Sequence, residues 1–227
     1  MWPRDADALI ARQRELAEAT PPPWWPPGGE QVVGGCWVCF PRGYAGPGRA
    51  GDPAWSAAVT VCAGRLVDRQ VRTGGAGASY VPGLLALRIG PLLDDAVRSL
   101  SRRPDVLLVD ATGRDHPRGA GLALQLGAEL DLPTVGVTHR PLRAEGDWPA
   151  DVRGAAAPLR IGDEVVACWL RTRAGTRPLV VHPGWRVDLE TAVDVALKSC
   201  RRRTPEPLRL ARRDARAARF RHETAVI

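Results

Sequence analysis

The sequence predicts an α/β fold in which a mixed β-sheet is flanked by helices. A short, wholly apolar run at 106–109 is typical of a central strand buried on both faces. Apolar segments of strand length precede it, and segments on both sides of it repeat apolar residues at helical spacing. No break in composition divides the 227 residues, so we expect one large hydrophobic core.

The N-terminal part of the chain is predicted to be a helix followed by a stiff connector. Residues 4–18 place apolar side chains at helical spacing among charges, which predicts an amphipathic surface helix. In the proline-rich stretch after it, Trp24 and Trp25 are expected to pack on the domain surface, with stacking on nucleic-acid bases as the alternative. We therefore divide the chain into this segment, 1–30, and a domain over 31–227.

Three strands and a helix are predicted next. Residues 31–40 form the first strand. Residues 54–64 and 66–72 form an antiparallel hairpin, apolar in its first arm and mixed in its second. Residues 83–100 have the pattern of a helix, which an internal Gly-Pro pair is expected to kink.

Further strands of the sheet are predicted after the apolar run at 106–109. Residues 133–140 form a short strand that a β-α-β crossover makes parallel to the run at 106–109. The remaining predicted elements are strands at 159–173 and 177–187 joined by a hairpin turn, a helix at 189–200 capped by Asp188, and a very basic final helix at 206–221. Three antiparallel strands, a helix, parallel strands and more helices is the order of an RNase H-like fold.

The chain is basic, with 32 Lys and Arg against 25 Asp and Glu, a net charge of +7 and a pI near 9.9. This balance favours polyanionic partners. Lys198 is the single lysine, so arginine supplies nearly all of the positive charge, and a coding bias towards arginine is the alternative explanation. The basic final helix is expected either to face phosphates or to form a solvated surface.

The five cysteines are scattered through apolar stretches, which predicts free thiols in a reducing compartment. Cys36 and Cys39 have C-x-x-C spacing, but no second pair follows at zinc-site spacing, so no structural zinc is expected. The sequence shows neither a signal peptide nor an apolar run of membrane-spanning length. We expect a cytoplasmic monomer that does not contact membranes.

Candidate chemistry lies where the central apolar run ends. Asp110 follows the run directly, and the carboxyl ends of strands in open α/β sheets border the crevice that holds ligands. The carboxylate is therefore placed to meet a metal or a substrate, with a turn cap as the alternative. In the polar loop that follows, Arg114, His116 and Arg118 can reach a phosphate.

The stretch 105–127 resembles the endonuclease V family. Members carry a strand ending in Asp, a glycine-rich loop with His-Pro-Arg and a glycine-containing helix, and the match is in register at Asp110, Gly113, His116, Pro117, Arg118, Gly121 and Gly127. Further blocks match at 80–88, 133–137 and 184–192. The resemblance implies an RNase H-like fold and a nuclease that recognises inosine in DNA or RNA. Such a nuclease cuts the second phosphodiester bond 3′ to inosine, with Mg²⁺ or Mn²⁺.

The same resemblance implies a degenerate metal site. Of three family carboxylates only Asp110 is present, because Trp37 and Ile89 stand at the other two positions. His139 replaces a family Lys, and Arg212 replaces a family His. We therefore expect weak or no metal binding and lost or impaired cleavage. Asp52, Asp94 and Asp95 are candidates to replace the missing metal ligands, but they are expected to be solvated. An acid–base pair formed by Asp115 and His116 is a further alternative.

The recognition residues are better preserved. The resemblance implies that Tyr80 and Pro82 form a wedge inserted where a flipped base leaves the stack, with a plain turn before a helix as the alternative. Together with Arg118, the implied substrate-binding set around the base pocket comprises Gly83, Leu85, Gly113, His116, Gly121 and Leu122. Gln125 stands where the family often has His, and Ala111 replaces a usual Gly.

Three hypotheses follow from these residues. The first is an inosine-recognising nucleic-acid-binding protein that has lost efficient cleavage. The second is an active metal-dependent endonuclease that uses Asp110 with ligands from elsewhere. The third is a protein-interaction module on the same fold. The choice between DNA and RNA stays open, because it depends on contacts to the 2′-hydroxyl.

Overall fold

The computed structural model describes residues 1–43 and 46–225. In this part of the chain, eight strands form one sheet in the order β3-β2-β1-β4-β5-β8-β7-β6. The strands are β1 Val32–Cys39, β2 Pro53–Cys62, β3 Arg65–Gly75, β4 Val106–Val109, β5 Thr134–Thr138, β6 Ala156–Ile161, β7 Glu164–Leu170 and β8 Leu179–Pro183. The predicted α/β fold with a mixed sheet is confirmed.

Strand direction divides the sheet into three parts. β1, β2 and β3 are antiparallel neighbours, and β4 lies parallel to both β1 and β5. The antiparallel order of the first three strands and the parallel pairing of β4 with β5 were predicted, whereas the pairing of β1 with β4 was not. β8, β7 and β6 then complete the far edge in antiparallel order. The single strand predicted at 159–173 was wrong, because a turn at Gly162, with φ of +58°, separates β6 from β7. Glycine adopts this left-handed conformation without the steric cost that a side chain adds.

Helices cover both faces of the sheet. They are α1 Ala6–Glu18, α2 Leu85–Arg98, α3 Leu122–Leu130, α4 Leu189–Lys198 and α5 Glu206–Ala225. Leu107 and Val109 of β4 pack with α2 and α3, whereas Val106 and Leu108 pack with α4 and Leu208 of α5. Successive residues of a strand point to opposite faces, so one short apolar strand supports both helical layers.

The N-terminal helix packs into this body. Leu9 is fully buried in the core beneath α2 and α3, and Leu16 packs with Leu124 of α3. α2 continues through Gly90 and Pro91, and the ring of Trp2 lies so close to Gly90 that a β-carbon there would overlap it. α1 therefore contributes to the fold that positions the loops described below.

The tryptophans of the connector differ in exposure. Trp24 packs partly against the core beside α4, whereas Trp25 is 65% exposed. Surface packing thus holds for the first tryptophan and not for the second. No helix within 1–43 and 46–225 has both the length and the apolar character needed to cross a lipid bilayer.

Candidate functional site

The candidate site lies at the carboxyl ends of β1 and β4. These strands pair in parallel with Cys36 opposite Val109, so Trp37 and Asp110 follow as neighbours on the face that α5 covers. Arg212 reaches them from α5, and its guanidinium carbon lies 4.9 Å from the centre of the Trp37 ring. The cation–π geometry places a fixed positive charge beside the indole. Asp110, Trp37 and Arg212 thus form one cluster, lined further by His139.

Burial makes Asp110 a weak acid. Desolvation raises the pKa of its carboxyl from 3.8 to about 6, and the guanidinium of Arg212 opposes that rise. Among the hydrogen bonds of the described residues, none reaches this carboxylate. Because no donor stabilises the charged form, burial dominates. The result is a partly buried carboxyl that changes charge near neutral pH.

An open cavity adjoins Asp110 on the side of α2. Its volume is about 440 Å³, and its lining includes the aromatic rings of Trp37, Phe40 and Tyr80. Ile89 of α2 also lines it but is only 8% exposed and belongs to the hydrophobic core. The two residues at the implied ligand positions, Trp37 and Ile89, therefore present apolar surface beside Asp110.

The acids that were candidates for substitute ligands are engaged elsewhere or exposed. Asp52 is 4% exposed, so the predicted solvated position was wrong, and its carboxylate accepts a hydrogen bond of 3.0 Å from Arg88. Arg88 in turn stacks on Phe40, with its guanidinium carbon 4.2 Å from the ring centre. Asp94 pairs with a neighbouring arginine on α2 and its side chain is only 15% exposed, so the predicted solvated position was wrong for it as well, whereas Asp95 is exposed as predicted.

These donors do not fit a divalent metal site. Within 1–43 and 46–225, no three His, Cys, Asp or Glu side chains come together in a way that would hold a metal ion. Mg²⁺ prefers several oxygen ligands, and the cluster offers one carboxyl with a guanidinium beside it. The geometry of the site is that of a cationic pocket with one weak acid.

Further positive charge surrounds His139. Its Nδ1 lies 3.2 Å from the guanidinium of Arg203. Partial burial lowers the pKa of the imidazole, and Arg203, Arg212 and Arg177 lower it further. Partial burial and nearby Arg177 also lower the pKa of Arg203. Like charges gathered in this way suit a polyanionic partner, because bound phosphate relieves their repulsion.

The predicted wedge is an exposed tip above a tightly held turn. Tyr80 and Val81 are 48% and 46% exposed, and Pro82 is exposed as well. Gly83, with φ of +78°, follows the tip and turns the chain into α2. Because this conformation is open to glycine at little cost, it is the residue that allows the sharp turn.

Three side chains donate to the carbonyl oxygen of Gly83. They are His116 at 3.2 Å, Arg118 at 2.6 Å and Gln13 of α1 at 3.0 Å. Burial lowers the pKa of His116 to about 4, so its imidazole is neutral at pH 7. The backbone N–H of Arg118 lies 3.3 Å from Nδ1 of His116, so Nδ1 accepts a hydrogen bond and Nε2–H donates one to the carbonyl of Gly83. We call these three residues, His116, Arg118 and Gln13, the Gly83 clamp.

The structure does not gather the whole implied base-pocket set around one opening. Leu85 lines the cavity beside Asp110, together with Tyr80. Gly113 packs against the carbonyl of Pro183, Gly121 packs against Thr112, and Leu122 is 4% exposed. His116 and Arg118 act on Gly83 rather than projecting outward. The set is thus divided between the cavity, the clamp and the packed interior.

The polar loop after Asp110 is tied to its surroundings. Arg114 donates to the carbonyl of Ala17 at the end of α1. Asp115 is fully buried and accepts backbone N–H bonds from three consecutive residues, 142–144, at 2.6, 2.8 and 2.9 Å. Such bonds to a buried carboxylate fix the position of the segment after β5. This structural role replaces the acid–base pair considered for Asp115 and His116.

Several of these positioning residues were not predicted from the sequence. Gln13 lies on the buried stripe of α1 between Leu9 and Leu16, and a polar residue on an apolar stripe is the signal that identifies it. The Arg88–Asp52 pair joins residues 36 apart in sequence and has no local signal.

Comparisons with known proteins agree with this architecture. The model of the family Endonuclease V matches residues 30–213. An endonuclease V of Roseiflexus castenholzii is 42% identical over 167 residues, which are 72% of this chain and 75% of that protein. The crystal structure of the Streptomyces avermitilis endonuclease V superposes with a TM-score of 0.85 at 34% identity, over 98% of this chain and 96% of that one.

A more distant structure carries a nucleic acid. Endonuclease V of Ciona intestinalis, solved in complex with DNA that contains an inosine followed by a ribo-adenosine, has a TM-score of 0.76. It is 20% identical, over 94% of this chain and 98% of that one, so this likeness supports the fold and nothing more. The family match and the Roseiflexus relative confirm the resemblance, and the chain belongs to the endonuclease V family.

Proposed function

We propose that this chain binds inosine-containing nucleic acid and cleaves it weakly or not at all. The observation that carries the proposal is the cluster at the strand ends, where Asp110 stands beside Arg212 and Trp37 instead of beside further carboxylates. Endonuclease V enzymes are generally metal-dependent, and the donors here do not fit a divalent metal.

Binding is supported by charge and by the relatives. The net charge is +7, and Arg212, Arg203 and Arg177 lie together around His139. The Ciona enzyme was solved with DNA containing inosine. A guanidinium can hold a phosphate by paired hydrogen bonds, and we propose that Arg212 does so at the position where the family uses a metal.

The recognition roles are assigned as follows. Tyr80 and Pro82 are the wedge, because they form an exposed tip on a held turn. His116 and Arg118 position that tip through Gly83. The remaining members of the base-pocket set are Leu85, Gly113, Gly121 and Leu122. Asp110 is the surviving acid, with His139 and Arg212 beside it. Five free cysteines, of which four are buried, support a reducing compartment such as the cytoplasm.

The test is a binding and cleavage assay on single strands that differ only in one inosine or adenine. We expect tighter binding to the inosine strand, equal affinity in EDTA and in Mg²⁺, and no cleavage. Tyr80→Ala is expected to reduce the preference for inosine, whereas Val67→Ala, at a half-exposed position on β3, serves as the matched control. Efficient cleavage that EDTA abolishes would establish an active nuclease instead. Failure to bind any strand would overturn the proposal and favour a protein-interaction module.

A further inference from the structure

A half-exposed tryptophan stands outside the cluster at Asp110. Trp148, in the segment between β5 and β6, is 51% exposed. Its ring lies 6.2 Å from that of Trp169, edge to face. The guanidinium carbons of Arg171 and Arg177 lie 5.7 and 5.4 Å from its centre. A large apolar ring in this setting combines about half of its surface exposed to solvent with adjacent positive charge.

The ring is held in place by its neighbours. Arg171 is 6% exposed and donates hydrogen bonds to the carbonyls of Pro149 and Thr176. These bonds fix the residue that follows Trp148 and the residue that precedes Arg177. Trp169 donates its indole N–H to Gly146 at 3.0 Å. A ligand that stacks on Trp148 would therefore lose little binding free energy to ordering the protein.

Positive charge connects Trp148 to the site at Asp110. Arg177, beside the Trp148 ring, depresses the pKa values of both Arg203 and His139. Arg203 contacts His139, and Arg212 also acts on His139 while facing Asp110. In the part of the chain that the structure describes, the salt bridges include neither Arg177 nor Arg203. Arg203 donates to the carbonyls of Arg177 and Pro178, and Arg177 is exposed. Neither charge is neutralised by a carboxylate among the described residues.

We infer that Trp148 is a stacking platform for one base of a single strand whose backbone follows Arg212, Arg203 and Arg177 away from Asp110. The inference rests on the proposed nucleic-acid binding and extends it to a second contact. A single strand is the partner that fits, because its bases present open faces while its phosphates meet the arginines. Paired bases in a duplex cannot offer a face to the ring.

The test compares strands of about 4 and about 16 nucleotides, which bracket typical single-strand sites. Each strand carries a central inosine and binds in EDTA. Trp148→Ala is expected to weaken binding of the long strand roughly 5- to 100-fold and to leave the short strand unchanged. Trp148→Phe should restore most of the affinity, because a ring is retained. Val67→Ala is the control, since Val67 is a half-exposed apolar side chain on β3, at the opposite edge of the sheet from β6.

The outcomes separate the two proposals. If wild-type protein binds neither strand, the proposed function fails. If it binds the long strand and Trp148→Ala binds as tightly as Val67→Ala, the stacking platform alone is overturned. Should Trp148→Ala unfold, Arg177→Gln tests the same path. It is expected to weaken long-strand binding and to reduce the salt slope by about one. An unchanged slope for Arg177→Gln would also overturn the inference.

Discussion

Replacing Asp110 with Asn is predicted to stabilise the protein at neutral pH. Burial raises the pKa of this carboxyl from 3.8 to about 6, so the folded protein disfavours the charged form. The two pKa values differ by roughly two units. At 1.36 kcal/mol per unit, keeping this carboxyl charged in the folded protein costs about 3 kcal/mol. Asn has a similar shape and carries no charge, so the variant escapes this penalty.

The free energy of unfolding changes with pH in the direction set by the state that binds more protons. Between pH 4 and pH 6 the folded state binds more protons at Asp110 than the unfolded state does. The free energy of unfolding therefore falls as pH rises through this window, and the contribution present below about pH 4 is lost above about pH 6. The advantage of Asp110→Asn over wild type should grow by about 2.5 kcal/mol from pH 4 to pH 7, because at pH 4 the unfolded carboxyl is already partly ionised.

Urea denaturation at a series of pH values measures this difference. Asp147→Asn is the matched control, because it makes the same chemical change at an exposed carboxylate. Arg212→Leu is expected to raise the pKa of Asp110 further and to extend the window upward, since the guanidinium opposes the effect of burial. An advantage of Asp110→Asn that stays constant from pH 4 to pH 7 would refute the reasoning.

Three further outcomes are expected. Asp115→Ala should lower the free energy of unfolding by roughly 3 kcal/mol or more, because three backbone N–H groups lose a buried, charged acceptor, whereas Asp147→Ala should change it by less than about 0.5 kcal/mol. Gly83→Ala should cost about 1–2 kcal/mol, since φ is +78°. Arg212→Gln should weaken binding to single strands and reduce the salt slope by about one, whereas Arg14→Gln on the exposed face of α1 should not.

Each of these three predictions has a result that would contradict it. Equal denaturation midpoints for the variants at 115 and 147 would show that the buried hydrogen bonds contribute little. A Gly83→Ala protein with unchanged thermal stability would show that the turn relaxes freely. Equal salt slopes for the two arginine variants would place Arg212 outside the phosphate path.

The strands and helices near the centre of the chain were predictable because their patterns are local. An uninterrupted apolar run predicted β4, and Asp188 predicted the start of α4, where it accepts the backbone N–H of Thr191. The division between β6 and β7 was missed although it has a local signal, because the polar pair Gly162-Asp163 separates the two strands. Two such residues between strand-like runs are typical of a tight hairpin, and Gly162 adopts the required positive φ.

The site was predictable only as far as sequence motifs extend. The motif alignment paired Trp37 with Asp110 as members of one site, and the strand register places them side by side. The Gly83 clamp was not predicted, because it brings together residues from α1, the loop after β4 and the turn before α2. Trp148 lies outside every motif, and its arginine neighbours come from distant positions in the chain.

The most direct test of the central claim restores the missing carboxylates. Wild type, Trp37→Asp/Ile89→Glu and Trp37→Ala/Ile89→Ala are incubated with a labelled inosine-containing strand in Mg²⁺ and in Mn²⁺. The alanine pair controls for the lost side-chain volume without adding acids. We predict that wild type and the alanine variant bind without cutting, and that the acidic variant cuts 3′ to inosine. Cleavage by wild type that requires the metal and is abolished by Asp110→Asn would contradict the account.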